Sequence, residues 1–548
     1  MRGDFRAMQR FRAGVSALVL ACTLGAAPPA APEHGIGSVH MPISCGADAG
    51  ARFDRGLALL HNFWYERART EFQAVIAKHP GCAIAYWGAA MTFNHPLWAP
   101  PNGTEVKAAL AILRRATSAA TRNDREAKYV AAVTTLFGDG DPAKKDARDV
   151  AYRDAMRAIL ATYPDDETKL FTSLAMQGAR GLAGEARLEA AALAEDVHRR
   201  HPEHPGALHY LIHVYDTDAL AERGLPAARA YAASAPAVPH ALHMPSHLFL
   251  RVGSWDEARN SNIAAWKAAE DAVRAAGEPQ SSREFHGLQF GQYAAVQLGR
   301  YAEAKHQAEI TLDQYDDNLR RIAKGGLSSD DVDDLRSLDF EAVGMTGAYM
   351  LATGDYALAT RLPAAGSSPA VEATLQHLRA VVAAARNDAG AMATSEAAAR
   401  ALLANLPKTG LESLIAPVAA NETLAVISHA RHDDAAAFRA MDDAVAAEDG
   451  LRRHMQPAFP PTPAHELYGR YLLEAGRYGE AAVHFRAALR LFPNRALATL
   501  GAARALRGAG DREGAARYAA AFATMWSGAD AGLPELAEAT ALRVSSAP

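Results

Sequence analysis

Five histidines lie close together in the segment 205–251 of this 548-residue chain. They form two sets in a sequence otherwise rich in alanine and leucine: His209 and His213, then His240, His243 and His247. Histidines four residues apart on a helix direct both imidazoles to one side, which is what a transition metal requires. Neutral imidazoles without thiolates favour zinc, copper or iron over magnesium or calcium. The segment therefore predicts a transition-metal site.

Helical hairpins are predicted to position these histidines, because small and aromatic residues recur with a period of about 34 residues. One set of spacings occurs twice, at Gly56, Ala68, Phe72 and Pro80 and at Gly469, Ala481, Phe485 and Pro493. Other copies carry a turn glycine and an alanine five residues later: Gly253/Ala258, Gly299/Ala304, Gly354/Ala359, Gly476/Ala481 and Gly510/Ala515. Small side chains let the two helices of a hairpin touch, and proline stops the second helix.

This pattern resembles the tetratricopeptide (TPR) repeat, whose helical hairpins stack into a right-handed superhelix. The resemblance implies an all-α solenoid of roughly ten or more hairpins in two arrays. The segments 35–44, 82–88 and 240–251 are also similar to large exported bacterial TPR proteins. No reaction is assigned to that group, so the resemblance implies an architecture and a compartment but no catalytic residue.

In TPR proteins, one face of the first helix of each repeat lines a concave groove. Counting repeats from Pro202 and Pro236, and independently from Gly253 and Ala258, gives one register. The inward positions of three adjacent repeats hold His209, His213, Asp216, His240, His243, His247, Arg251, His286 and Tyr293. First helices of adjacent repeats lie roughly 8–10 Å apart, so the six histidines are expected to converge as metal ligands. Asp216 is expected to be a further ligand or a hydrogen-bond partner of one.

The geometry of the histidine segment has alternatives. Pro245 cannot lie inside a regular helix without a kink. If the helix begins at Met244 or Pro245, His240 and His243 lie in the preceding loop and His247 on the helix. Each histidine, taken alone, is also explained as a hydrogen-bonded polar residue in a peptide-binding groove.

Four other polar residues are predicted to line the groove. His61 and His95 occupy the same register position in the first and second repeats and are expected to lie side by side. Glu466 and Arg470 are one helical turn apart and are expected to form an ion pair. The sequence contains no G-x-S-x-G, G-x-x-x-x-G-K-[ST], H-E-x-x-H or G-x-G-x-x-G motif, so no catalytic residue is predicted.

The overall charge bears on the class of partner. The chain has 57 basic and 62 acidic residues, a net charge of -5, and no basic cluster beyond the N-terminus. Nucleic acid is therefore not an expected partner. A peptide, a protein or a small molecule in the groove is expected instead.

Residues 1–27 have the pattern of an export signal, with four arginines before a short apolar run that ends in small residues. No later segment has the roughly 20 apolar residues of a membrane helix. Cleavage after Ala27 and lipidation at Cys22 both agree with the sequence, so we expect a periplasmic protein, either soluble or lipid-anchored. In an oxidising compartment, Cys45 and Cys82 either form a disulfide or remain two thiols.

The predicted organisation follows from these patterns. It comprises a signal peptide (1–27), a linker (28–48), an N-terminal TPR array (49–318), an acidic linker or irregular segment (319–340), degenerate helical repeats (341–461), a TPR pair (462–530) and a tail (531–548).

Two functions agree with this sequence. One is an exported TPR solenoid that binds a ligand or partner in its groove, with a transition-metal site in the repeats of residues 205–272. The alternative is a metal-dependent enzyme, a hydrolase or oxidoreductase, whose histidine cluster holds a metal that activates water or oxygen.

Overall fold

A computed structural model describes residues 35–97, 100–119, 122–179, 181–406, 412–451, 457, 459 and 461–544. In this part of the chain the regular structure is helical, with 26 α-helices and no β-strand. The predicted all-α fold is confirmed. The predictions for residues 1–27, including Cys22, lie outside the described residues.

Two compact units divide the described chain: an N-terminal unit of residues 35–248 and 264–282, and a C-terminal unit of residues 249–263 and 283–544. The first eleven helices are α1 (Ala47–His61), α2 (Tyr65–Lys78), α3 (Ala83–Met91), α4 (Gly103–Ala116), α5 (Asp124–Phe137), α6 (Lys145–Thr162), α7 (Asp166–Gly178), α8 (Gly184–Arg200), α9 (Pro205–Tyr215), α10 (Ala221–Ser234) and α11 (Pro239–His243). Two helices contribute residues to both units, α12 (Pro245–Val252) and α13 (Trp255–Ala276).

The C-terminal unit contains the remaining described helices. They are α14 (Phe285–Gln297), α15 (Tyr301–Lys324), α16 (Ser329–Arg336), α17 (Asp339–Thr353), α18 (Pro369–Ala385), α19 (Ala389–Ala404), α20 (Glu412–Ala430), α21 (Asp434–Leu451), α22 (Ala464–Glu474), α23 (Tyr478–Leu491), α24 (Ala496–Gly508), α25 (Arg512–Met525) and α26 (Pro534–Val544).

The residues that defined the repeat also close the hairpins. Phe72 on α2 packs between α1 and α3, where a Cβ added to Gly56 or Gly88 would come within 2.9 or 2.6 Å of its ring. The same arrangement surrounds Phe485 in the C-terminal unit. Small residues are therefore needed where the aromatic ring enters the hairpin. The predicted TPR-type packing is confirmed.

The turns of the hairpins explain the recurring glycines. All five predicted turn glycines have left-handed backbone angles: Gly253 (φ 68°), Gly299 (67°), Gly354 (70°), Gly476 (71°) and Gly510 (88°). Glycine adopts this conformation without the steric cost that a Cβ would bring. The sequence therefore predicted these turns correctly.

Most of the acidic segment 319–340, predicted as an acidic linker or irregular segment, is helical. α15 continues to Lys324, and α16 begins after Ser328. The Ser328 hydroxyl accepts a hydrogen bond from the Asp331 N–H (3.1 Å), and the Asp331 carboxylate accepts one from the Ser328 N–H (3.2 Å). This reciprocal cap places carboxylates at the positive end of a helix, where they are stabilising. The predicted tail, 531–548, likewise contains a helix, α26.

A disulfide joins Cys45 to Cys82, and Cys82 lies at the start of α3. The structure thus selects the disulfide from the two alternatives that the sequence allowed. Among the described residues, no helix is both long enough and apolar enough to cross a membrane.

Candidate metal centre

Helix α9 positions the first two histidines of the cluster. Pro205 occupies its first turn, where a missing N–H costs nothing, and the His204 side chain caps it by accepting from the Ala207 N–H (3.4 Å). His209 and His213 lie one turn apart and therefore on the same face. His209 is fully buried and His213 is half-buried.

Pro245 divides the segment that carries the other three histidines. His240 and His243 lie on α11, and His247 lies on α12, which begins at Pro245. The helix boundary at Pro245 agrees with the sequence. The expected loop before it is instead a five-residue helix, because Pro239 supplies a favourable first turn.

Two imidazole nitrogens, from His213 and His240, lie close to Nε2 of His209. Its Nδ1 donates a hydrogen bond to the carbonyl oxygen of His61 (2.6 Å), so in the neutral ring Nε2 carries the lone pair. His213 Nε2 lies 3.0 Å and His240 Nε2 3.2 Å from this atom. One lone pair in the ring plane accepts one well-directed hydrogen bond, so proton sharing does not explain both approaches. We call His209, His213 and His240 the three-histidine site.

These distances match those between two nitrogen ligands of one metal ion. Zinc–nitrogen bonds of about 2.0–2.1 Å place two ligand nitrogens about 2.9 Å apart at a right angle and about 3.3 Å apart at a tetrahedral angle. The two measured separations, 3.0 and 3.2 Å, fall in this interval. One nitrogen from each of the three rings lies within 4.8 Å of the others.

The remaining two histidines of the segment approach each other in the same way. His243 Nε2 lies 3.1 Å from His247 Nε2. His247 Nδ1 lies 3.3 Å from the Asp216 carboxylate. Asp216 therefore contacts one histidine of the cluster, as the register predicted.

Burial favours the neutral form of the imidazoles in the three-histidine site. It lowers the pKa of His209 to about 3. The pKa values of His213 and His240 are also well below the ordinary value, first because of burial and then because neighbouring histidines oppose a second positive charge. Neutral imidazoles are the form that coordinates metals.

Aromatic side chains enclose the three-histidine site. The Phe63 ring lies 4.3 Å from the His209 ring, between centroids, and Tyr231 stacks on His209 at 5.2 Å. The Tyr231 hydroxyl donates to Asn62 Oδ1 (2.7 Å). The repeat pattern indicated neither aromatic, since only tertiary packing brings α10 and the turn after α1 to α9. An apolar wall of this kind limits water at a metal and tunes its chemistry.

A second buried group, the Glu167 cluster, consists of His61, Glu167 and His204. The two Glu167 carboxylate oxygens lie 2.7 Å from His61 Nε2 and 3.2 Å from His204 Nε2. His61 Nδ1 lies 2.9 Å from the Tyr210 hydroxyl. Burial would raise the pKa of Glu167, but the two histidines outweigh it and lower that pKa to about 2. The sequence placed His61 in the groove, and nothing in the repeat pattern indicated Glu167 or His204.

His61 and His95, predicted to be neighbours, have different ring contacts. His61 is fully buried and stacks on Phe171, with 5.0 Å between ring centroids. His95 is half-buried and lies 4.9 Å from the Tyr65 ring. Burial, followed by the charges of Arg69 and Lys145, lowers the pKa of His95 to about 4.

The C-terminal unit holds the other predicted residues. Glu466 pairs with Arg495 (2.5 Å) rather than with Arg470, and Arg495 also donates to the Tyr293 hydroxyl (2.7 Å). Arg470 is exposed, whereas Arg495 is buried beside Glu466 at the start of the next hairpin. The register alone could not predict this exchange of partners.

His286 and Arg251 also belong to the C-terminal unit. His286 lies on α14, with its ring 4.6 Å from that of Phe290. Arg251 lies near the end of α12. Their roles as a sixth ligand and as a groove residue stay predictions.

Comparisons with known proteins give no assignment. No protein-family model and no curated protein matches the chain. The structure of the human IFIT1 dimer with m7Gppp-AAAA is 12% identical, with 85% of this chain and 90% of that chain covered and a TM-score of 0.35. Yeast Tom70 is 9% identical, with 91% and 96% covered and a TM-score of 0.32. The P58(IPK) TPR domain is 13% identical, with 85% and 99% covered and a TM-score of 0.20.

TM-scores this low carry no argument about the present chain. The TPR-type fold therefore rests on the chain's own hairpins and turns. The exclusion of nucleic acid as a partner stays a prediction from charge.

Proposed function

We propose that this protein binds a transition-metal ion through the Nε2 atoms of His209, His213 and His240. The supporting observation is the approach of two imidazole nitrogens to His209 Nε2, at 3.0 and 3.2 Å. The opposite nitrogen of His209 already donates to the His61 carbonyl, which fixes the ring and leaves Nε2 for the metal.

Three nitrogen donors in an aromatic pocket suit zinc, copper or iron. Three protein ligands are also the number found at catalytic zinc sites, whose fourth position takes water or substrate. We therefore assign the metal a role in binding a small molecule or a peptide group. A hydrolase or oxidoreductase activity is the second candidate, and the same three-ligand arrangement favours it.

We further propose that the protein functions outside the cytoplasm. The Cys45–Cys82 disulfide supports this compartment, because such bonds persist in oxidising environments. Alkylation of cell fractions before and after reduction shows in which fraction Cys45 and Cys82 are joined by a disulfide. Recovery of both cysteines as thiols from a cytoplasmic fraction would contradict the proposal.

Metal analysis tests the proposed function. The purified protein is stripped with chelator, reconstituted separately with zinc, copper, iron and cobalt, desalted and analysed for metal. At least one equivalent is expected for wild type, and His209→Ala should lose the ion of the three-histidine site. His201→Ala is the matched control, since His201 is an exposed histidine of the same unit. Less than about 0.1 equivalent of every metal in wild type would refute the proposal.

A further inference from the structure

Two histidines of the cluster lie outside the three-histidine site. His243 ends α11, and His247 lies in the first turn of α12, so Pro245 separates the two residues along the chain. Their Nε2 atoms are nevertheless 3.1 Å apart. This separation again falls between the values of about 2.9 and 3.3 Å expected for two ligands of one ion.

A hydrogen bond on the opposite side of the His247 ring indicates which of its nitrogens carries the lone pair. His247 Nδ1 faces the Asp216 carboxylate at 3.3 Å, and a carboxylate only accepts, so Nδ1 carries hydrogen and the Nε2 lone pair is directed at His243 Nε2. Ser246 donates its hydroxyl hydrogen to the His243 carbonyl (2.7 Å), and its oxygen lies 3.5 Å from His243 Nδ1. With its hydrogen on Nδ1, His243 directs a second Nε2 lone pair at the same point, where a cation is coordinated by both rings.

This pair is adjacent to the three-histidine site. The His243 ring centroid lies 6.2 Å from that of His240, and the His247 centroid lies 6.5 Å from that of His213. A single tetrahedral ion takes four ligands. Five imidazoles whose nitrogens face one another in a group of three and a group of two therefore fit two ions better than one.

We propose that His243 and His247 bind a second transition-metal ion beside the first, with Asp216 orienting His247. The inference rests on the proposed function, and it makes the cluster a two-metal centre. The two histidines supply two of the ligands that this ion needs. In two-metal sites both ions act on one bound oxygen ligand, such as water, hydroxide or a phosphoryl or carbonyl oxygen. The ligand class is therefore a small oxygen-donor molecule that spans both ions.

Metal stoichiometry tests this inference. Metal-free protein is titrated with cobalt(II) and with copper(II) by calorimetry, and the metal bound after desalting is measured. Wild type should bind two ions per chain. His243→Gln/His247→Gln should bind one, with the affinity of the remaining ion changed less than about tenfold. His201→Gln should still bind two.

Electron paramagnetic resonance of the copper-loaded protein adds a readout of distance. Wild type should show spin coupling between two copper(II) ions, and the double variant should show an uncoupled signal. Circular dichroism before and after metal removal establishes that the variant is folded.

The outcomes separate the two proposals. One ion in wild type, still lost in His209→Ala, overturns the two-metal centre and retains the three-histidine site. Two ions in the folded double variant also overturn the second site. No bound ion in wild type overturns both.

Discussion

The three-histidine site and the Glu167 cluster are built from similar residues in the same unit, yet their hydrogen bonding differs. In the Glu167 cluster, both nitrogens of His61 and of His204 have hydrogen-bond partners, as do both carboxylate oxygens. In the three-histidine site, imidazole nitrogens face other imidazole nitrogens. Both groups have ligand atoms close enough to hold an ion. The partner of each nitrogen, more than the number of histidines, is therefore the basis for proposing a metal ion at the three-histidine site and a structural role for the Glu167 cluster.

The largest expected effect on stability comes from removing Glu167. Glu167→Ala should lower the free energy of unfolding of the metal-free protein by about 3–5 kcal/mol, because two buried histidines lose their acceptor. Metal stoichiometry should not change. Urea denaturation at pH 7 measures the first quantity, with exposed Glu189→Ala as the control. Loss of a metal ion without loss of stability would instead identify Glu167 as a ligand.

The second-largest expected effect is on the stabilisation that metal binding gives, which should depend on the three-histidine site and not on the Glu167 cluster. At a metal concentration of about 100 times Kd, the native state gains about 2.7 kcal/mol, which is measured as a rise in Tm. His240→Ala should lose the part of this rise that the ion of the three-histidine site contributes. His204→Ala should lower the starting Tm through loss of the α9 cap and keep the rise. An equal rise in wild type and His240→Ala would mean that the ion binds elsewhere.

Acid should weaken the metal-free protein through the three-histidine site before it affects Glu167. Because burial lowers the pKa of His209 to about 3, the unfolded state binds a proton below about pH 6.5 that the folded state does not. The contribution of a buried neutral histidine to the free energy of unfolding is complete above pH 6.5. It falls by about 1.4 kcal/mol for each pH unit as the pH drops toward 3.

Glu167 stabilises the folded state over a lower pH range. Its contribution to the free energy of unfolding is present above about pH 4.5 and is lost as the pH falls toward its folded pKa of about 2. Urea denaturation between pH 6.5 and 4.5, in chelator, should give a shallower slope for His209→Ala than for wild type. An unchanged slope would contradict a buried, neutral His209.

The smallest expected effect belongs to the aromatic wall. Tyr231→Phe keeps the ring stacked on His209 and removes the hydrogen bond to Asn62, so we expect a loss of about 1 kcal/mol in unfolding free energy. Metal affinity should change less than about threefold. Calorimetry and urea denaturation measure both quantities. A loss above about tenfold in affinity would show that Asn62 helps to position the ligands through Tyr231.

The sequence predicted the fold because hairpin packing depends on residues at fixed spacings. The turn glycines and the glycines that contact Phe72 are visible without coordinates. The same register placed His209 and His213 on one face and indicated that Asp216 would lie near the later histidines. It also located the interruption at Pro245.

The sequence could not predict contacts between side chains of distant helices. Glu167 reaches His61 across 106 positions of the chain, and no spacing encodes that approach. Arg495 displaced Arg470 as the partner of Glu466 because burial favours the arginine from the next hairpin. The acidic residues of 319–340 looked like a linker, and the Ser328 cap turned part of that segment into a helix.

The hydrogen bond from His209 to the His61 carbonyl has a consequence for how the N-terminal unit unfolds. In an ideal solenoid each repeat contacts only its nearest neighbours, so the terminal repeats can unfold independently of the rest. Here the end of α1 is tied directly to α9, and Gly206 permits the approach, since a Cβ there would come within 2.3 Å of His61. The chain between His61 and His209 therefore forms a closed loop, and we expect its helices, α2 to α8, to unfold as one cooperative block.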